Sequence, residues 1–314
     1  MDIDSKLVNH FIKATEHAAY GASLYVGKKD KIAADQSAVD QMRNQLNLIN
    51  MKGKIVIGEG EMDEAPMLYI NEKVGTNKGD ELDIAVDPLE GTNFVANNLP
   101  NALAVLAVTK KGNLLHAPDM YMEKIAVGPG LPKNIIDLDF SIEKNIQLLC
   151  KAKKTKTEKL TACVLERKRH DAIIKSLKSL GVKIHFISDG DVSGVISVAD
   201  PDKKIDIYIG IGGAPEGVLA AAALSCLDCQ MQTRLKFYDD NDKKRALKLG
   251  ITDLNKKYNI FDMIKGDVIF CATGVTTGDL VNGIKTSKDF FEAETLVLHK
   301  SGKINKKIKN RIKK

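Results

Sequence analysis

No stretch of this 314-residue chain is long and apolar enough to span a membrane, and no apolar export core stands near its start, so neither insertion nor secretion is expected. Cysteine is sparse and odd in number. Cys150, Cys163, Cys226, Cys229 and Cys271 lie mostly among apolar residues, which argues against a disulfide framework and for a reducing, cytoplasmic setting. Cys226-x-x-Cys229 lacks a second pair, and its helical surroundings read as buried thiols rather than a zinc or redox site. Acid is absent from residues 300–314, which hold eight Lys or Arg; removing those eight from the net charge of +6 leaves the rest of the chain at −2. The basic surplus is therefore a tail, read as a solvated, partly disordered end. It lacks the interleaved aromatics that stack bases, so nucleic acid is not an expected partner. Gly210, Gly212, Gly213 and Gly217 miss the Gly-x-Gly-x-x-Gly spacing, and Glu216 puts a negative charge where a pyrophosphate would lie, which argues against a dinucleotide. There is no internal repeat.

What is present suits a large α/β protein. At 44% apolar residues the chain can bury a substantial core. Two helices are expected in the first 50 residues, the second opening at Lys31-Ile-Ala-Ala-Asp35 and running through Val39, Met42 and Leu46. Strands follow near 54–57, 82–86, 103–109 and 123–127, with a helix over Asp63–Lys73 between the first two. Strand–helix units come at about 160–180, 183–198, 205–230 and 268–284, and residues 239–265 read as a surface helix plus loop. The Pro/Gly-rich Gly128–Pro132 and the lysine-rich Lys151–Lys156 flank the expected boundary. The expected divisions are 1–150, 151–299 and the tail 300–314. Alternating helices and strands predict layered sheets and helices.

The most informative stretch is Ile84-Ala-Val-Asp-Pro-Leu-Glu-Gly-Thr92. A short apolar strand stops at Asp87-Pro88, and Glu90 follows across a turn that Pro88 stiffens. Two carboxylates can thus converge at a strand end, and Gly91 lets the backbone approach whatever they hold. Ordinary turn chemistry also makes Asp-Pro after a strand. Upstream, the strand Lys54–Ile57 ends in Gly58-Glu-Gly-Glu61, so a second strand delivers acid between glycines. Glu59 is preferred to Glu61 as the inward ligand. Asp35 sits in the first turn of its helix, where the macrodipole alone favours an acid. Hard oxygen donors on rigid backbone are what Mg²⁺ or Mn²⁺ takes.

Gly58-Glu-Gly-Glu61 followed by Asp87-Pro-Leu-Glu-Gly-Thr92 resembles the signature of the metal-dependent, lithium-sensitive sugar and inositol phosphatases. With Ile55–Ile70, Ala117–Lys124, Gly210–Gly217 and Ala272–Leu280, the chain resembles class II fructose-1,6-bisphosphatase over nearly its whole length. The resemblance implies the sugar-phosphatase fold, Mn²⁺ or Mg²⁺ as cofactor, and hydrolysis of the 1-phosphate of fructose 1,6-bisphosphate in gluconeogenesis. It implies metal ligands Asp35, Glu59, Asp87, Glu90 and Glu216, with Thr92 orienting the attacking water, helped by Asp35, and Lys31 close by. Glu90, Gly91 and Thr92 would face the scissile phosphate. Tyr121 and the basic run Arg167, Lys168 and Arg169 would take the second phosphate. The family more often has Lys-Pro-Arg at these three positions, so Arg169 alone transfers directly; a charge run is otherwise a solvated face. Asp189, Gly190 and Asp191 would read sugar hydroxyls, or else cap a helix. A homo-oligomer, dimer or tetramer, is implied. The rival substrates are sedoheptulose 1,7-bisphosphate and an inositol phosphate, and the rival outside enzymes is a metabolite-binding regulator. Ala272–Asp279 reads as a wall of the site.

Overall fold

The structure, a computed structural model, describes residues 2–58 and 68–314. The chain forms two compact units. One joins Met1–Leu115 to Ile264–Lys314, and the other is the continuous segment His116–Met263. The division expected near residue 150 falls inside the second unit, within a helix. The reason is that the closing segment of the chain returns to the sheet begun by the opening one.

The first unit opens with helices α1 (Val8–Ser23) and α2 (Lys31–Leu46), as the pattern predicts. Asp30 caps α2, its carboxylate accepting from the Ala33 N–H at 2.9 Å. Strands β1 (Met51–Ile57), β2 (Lys73–Val74) and β3 (Asp80–Glu90) follow, then the short helix α3 (Thr92–Ala96) and β4 (Leu103–Lys110). The expected helix over Asp63–Lys73 begins outside the described residues, and its described end, from Leu68 onward, is not helical. The Asn71 N–H donates to the Ile55 carbonyl, and Lys73 and Val74 pair with β1, so these donors serve the sheet. β3 runs four residues past its expected end. It carries Asp87-Pro88 through an irregular register between Asp87 and Glu90, where a residue lacking an N–H can be accommodated.

The second unit contains β5 (Tyr121–Val127), α4 (Ile142–Lys153), β6 (Thr161–Leu165), α5 (Asp171–Ser179), β7 (Lys183–Ile187), α6 (Asp191–Ile196), β8 (Ile207–Gly213), α7 (Ala214–Ser225), β9 (Gln230–Lys236), α8 (Asp240–Lys248), β10 (Lys257–Asn259) and α9 (Ile260–Met263). Its six strands lie in the order β10-β9-β5-β8-β6-β7. β6 is parallel to β7 and β8, and β5 is antiparallel to its neighbours. Its core gathers Ile125, Ile146, Leu149, Val164, Leu177 and Ile207.

The chain then returns to the first unit as β11 (Val268–Gly274), β12 (Lys285–Thr286), β13 (Phe290–His299) and β14 (Ile304–Lys313), completing an eight-stranded sheet. No helix follows β11 as the sequence suggested. Residues 275–284 are instead a pinned loop, with Thr276 Oγ1 accepting from the Ala102 N–H and Thr277 Oγ1 from the Gly283 N–H. α1 and α2 bury Phe11, Ala18, Ala38 and Met42 against Ile84, Leu106, Ile269 and Val297. The basic tail is not disordered: ten of its residues pair antiparallel with β13. Ile304, Ile308, Asn310 and Ile312 are its partly buried positions while its lysines are exposed, the charged outer strand with which sheets protect an edge.

Candidate active-site residues in the two units

In the first unit, β1 and β3 are parallel neighbours, so both C-terminal ends lie on one edge of the sheet. β1 ends at Ile57 and hands over to Gly58; Glu59, the preferred ligand, and Glu61 lie outside the described residues. β3 ends in Asp87-Pro-Leu-Glu90. Asp87 is half-buried and accepts from the Leu89 N–H at 3.2 Å, while Glu90 is 5% exposed. Gly91 then takes φ 84°, ψ 48° and starts α3. Only glycine takes that left-handed conformation without strain, so it can reverse the chain between Glu90 and Thr92. Thr92 opens α3, partly exposed. α3 packs against α2, and α2 against β3. Along α2, Lys31 is exposed at the first turn and Asp35 half-buried one turn on. Within this unit Asp35, Asp87, Glu90 and Thr92 therefore stand on elements that pack together. Thr276 and Thr277 of the expected wall line a cavity of about 470 Å³ with Asn98, Leu99 and Pro100.

The second unit repeats the turn. Gly190, at φ 80°, ψ 53°, starts α6 between Asp189 and Asp191. Here the acid after the glycine is the buried one. Asp191 is 7% exposed, ion-paired to Lys124 through Oδ2, and accepts the Tyr208 hydroxyl through Oδ1. Both of its oxygens are thus engaged inside the protein, whereas Asp189 stays half-exposed. Burial and the Asp191 charge hold the Tyr208 phenol well above its usual pKa, so it acts as a donor.

At the start of α7, Glu216 follows Pro215 in the first helical turn. Its Oε2 is buried with no hydrogen-bond partner. Burial pushes its carboxyl above the usual range, and the Lys124 charge pulls the other way. A buried, unbonded carboxylate oxygen is costly and stays only where something else satisfies it.

The basic run separates into different roles. Lys168 is exposed, and the Arg167 guanidinium donates to the Glu166 carbonyl. Arg169 is held: its Nε donates to the Ile211 carbonyl at 2.9 Å, and its guanidinium lies 4.9 Å from the centre of the Tyr121 ring. Tyr238 meets Tyr121 edge-on at 5.6 Å. His170 fixes this corner from behind, with Nδ1 2.7 Å from the Leu165 carbonyl and Nε2 2.8 Å from the Ile211 N–H. Since an N–H can only donate, Nε2 accepts and Nδ1 carries the proton, a neutral tautomer. Burial lowers its pKa accordingly.

Sequence reading gave no role to Lys124, Tyr208, Tyr238 or His170. A signal existed for Lys124: in Tyr121–Val127 it alternates inward with Met122 and Ala126, and an inward lysine on a buried strand needs a partner.

The candidate ligands are all carboxylate oxygens, the donors hard divalent ions prefer. Among the described residues no three Asp, Glu, His or Cys side chains already gather at a point that could hold a metal ion. Mg²⁺ does not require such a cage, since it keeps several waters and binds through one or two carboxylates plus substrate phosphate. In the first unit the carboxylates of Asp35, Asp87 and Glu90 are donors of the kind such an ion takes, and in the second unit so is the orphaned Oε2 of Glu216.

Residues 5–312 match the family described as "Bacterial fructose-1,6-bisphosphatase, glpX-encoded". The chain is 44% identical to "Fructose-1,6-bisphosphatase 1 class 2" of Escherichia coli K12, over 97% of this chain and 94% of that protein. It is 42% identical to "D-fructose 1,6-bisphosphatase class 2/sedoheptulose 1,7-bisphosphatase" of a Synechococcus strain, over 94% and 92%. Among solved structures, the extragenic suppressor protein suhB of Bartonella henselae aligns at 11% identity over 62% of this chain and 74% of that one, with a TM-score of 0.37. An inositol monophosphatase from Anabaena aligns at 13% over 62% and 71%, with a TM-score of 0.32. The relationship rests on the sequence matches.

Proposed function

The chain belongs to the bacterial glpX-encoded, class II fructose-1,6-bisphosphatase family, and from that premise we propose that it hydrolyses the 1-phosphate of fructose 1,6-bisphosphate to fructose 6-phosphate and phosphate. The observation that carries this reading is the 44% identity over nearly the full length of a class 2 bisphosphatase, joined to a β3 end and α3 start that bring Asp87, Glu90 and Thr92 around a left-handed Gly91. Asp35, Glu59, Asp87 and Glu90 of the first unit would hold Mg²⁺ or Mn²⁺, which when bound lowers the pKa of a water and neutralises phosphoryl oxygens, and Glu216 of the second unit is proposed as a cation ligand as well.

The chain's own groups supply the rest. The Thr92 hydroxyl accepts a hydrogen from the attacking water and fixes its line of approach, with the Asp35 carboxylate as proton acceptor. The Lys31 ammonium faces solvent and can offset phosphoryl charge. Arg169, aligned on Tyr121, offers a guanidinium fork to the second phosphate, a geometry phosphate matches bidentately. Five free thiols suit a reducing cytoplasm, and we expect a homo-oligomer.

Phosphate release from fructose 1,6-bisphosphate with EDTA, Mg²⁺ or Mn²⁺ tests the reading, alongside sedoheptulose 1,7-bisphosphate and inositol 1-phosphate. Cation-dependent release from the fructose ester is expected. No release from it under any cation would sink the proposal. Equal release from the heptulose ester would give this chain the second activity that the Synechococcus relative's name carries.

A further inference from the structure

Two glycines near the start of α7 are explained by one charged cluster: a Cβ on Gly212 would fall on Asp191 Oδ2, and one on Gly213 on Glu216 Oε2. A third, Gly217, makes room for Met122 and Lys124, since its Cβ would lie 2.7 Å from Met122 Sδ and 3.0 Å from Lys124 Cε. Lys124 is fully buried on the central strand β5, opposite Gly210 of β8 and Thr233 of β9. A buried ammonium without an opposite charge is costly, and here Asp191 supplies it. The buried members of the cluster are nonetheless one cation and two carboxylates, and the exposed Asp119 adds a further negative charge near Glu216. Lys124 is joined to Asp191, whose other oxygen takes the Tyr208 hydroxyl, and Glu216 keeps a buried oxygen without a partner.

We propose that Lys124 is a positioning residue that decides which of two neighbouring buried carboxylates takes a divalent cation: by neutralising Asp191, it leaves Glu216 as the unbalanced one. The inference rests on the reading of Glu216 as a cation ligand. Asp191 gains a lysine, a tyrosine hydroxyl and a place over Gly212, and so is withdrawn from ligation. Glu216 feels the Lys124 charge without capturing it and stays aimed over Gly213.

Two substitutions should act in opposite directions. Lys124→Met keeps the apolar stem and frees Asp191, so the cluster carries an additional uncompensated carboxylate. Its affinity for Mn²⁺, measured by calorimetry on the full chain without substrate, should rise by about tenfold, and Mn²⁺ should raise its Tm more than that of the parent. Asp191→Asn releases Lys124 to pair with Glu216, so affinity for Mn²⁺ should fall by about tenfold. The double variant Lys124→Met/Asp191→Asn removes the charges together and should return affinity to near the parent value, with a Tm above that of Lys124→Met.

A purely structural lysine would lower Tm in both single variants and leave Mn²⁺ affinity unmoved, which overturns the proposal. Shifts of the same sign in both variants also overturn it. If Lys124→Met does not fold, Asp191→Asn and the double variant still decide the sign. Glu216→Gln separates this inference from the reading beneath it. Unchanged Mn²⁺ affinity in that variant removes Glu216 as a ligand. A loss there, with no opposition between the other two, removes the role of Lys124 alone.

Discussion

The two units use the same turn with the buried acid on opposite sides of the glycine. In the first, β3 passes through Glu90 into Gly91 at φ 84° and starts α3; in the second, Asp189 leads into Gly190 at φ 80° and α6. The backbone device is a left-handed glycine ahead of a short helix in both. In the first unit the buried acid stands before the glycine, at the end of a strand. In the second it stands after the glycine, at the first helical residue, where Lys124 and Tyr208 reach it from β5 and β8. Identical turn chemistry therefore specifies where a carboxylate goes but not what it does. Its neighbours on other strands decide that, as Lys124 and Tyr208 do for Asp191.

The sharpest break of that comparison is one substitution in each turn. Asp87→Asn should lower kcat by about a thousandfold or more with far-UV circular dichroism and Tm retained, because it removes charge where the phosphoryl group is held. Asp189→Asn should change kcat/KM by about tenfold at most. Equal losses from both would show that the two turns do the same job.

The next largest effect concerns a buried acid of the first unit away from either turn. Glu16 of α1 is 1% exposed and bonded by Asn310 of β14, and burial pushes its pKa up to about 7. The folded protein therefore holds a proton that the unfolded chain releases from about pH 4.5, so stability is full below that pH and lost as pH rises through 7. Glu16→Gln keeps an acceptor for Asn310 and should remove this loss, worth about 3 kcal/mol above pH 7. Tm curves of parent and variant should coincide near pH 4 and diverge toward pH 8. Parallel curves would refute a titrating Glu16.

A smaller effect sharpens the second unit's part. Arg169→Ala should raise KM for fructose 1,6-bisphosphate about ten- to a hundredfold while leaving kcat within about threefold, and Tyr238→Ala should raise it only a few-fold, since an edge-on aromatic pair contributes about 0.5–1.5 kcal/mol. An unchanged KM in Arg169→Ala would remove the phosphate clamp from this corner.

The smallest expected effect comes from His170. Its lowered pKa means the unfolded chain takes up a proton first as pH falls below 6.5, so stability present above 6.5 declines below it. His170→Gln should flatten that decline between pH 6.5 and 5, measured by Tm. A slope identical to the parent would show that another group carries it.

Much of the fold and of the candidate site is legible in the residues themselves. The strand–Gly–helix at Asp87–Thr92 is visible because β-branched runs, a proline and a glycine each have a local preference that tertiary contacts do not override. The first two helices, and the strand–helix pairs of the second unit, are visible from periodicity for the same reason. Three segments mislead: residues 68–73, expected as the end of a helix, bond to β1 instead, and the other two are segments where local preference is weak. Residues 304–313 look like a solvated lysine run, and only β13 alongside them leaves Ile304, Ile308 and Ile312 partly buried. Residues 275–284 follow a strand like the earlier units, yet their hydroxyls and backbone bond to Asn101, Ala102 and Gly283, which holds them as a loop.

By itself the sequence determined the α/β class, the family and the acids that end its strands, because these depend on residues close together along the chain. The tertiary structure alone decided that the chain's two ends share one sheet, that the basic tail is a strand, and that Asp191 is held by Lys124 while Glu216 keeps an unsatisfied oxygen. Those outcomes depend on charges and strand partners brought together across 67 residues between Lys124 and Asp191 and 294 between Glu16 and Asn310, separations over which no local preference acts.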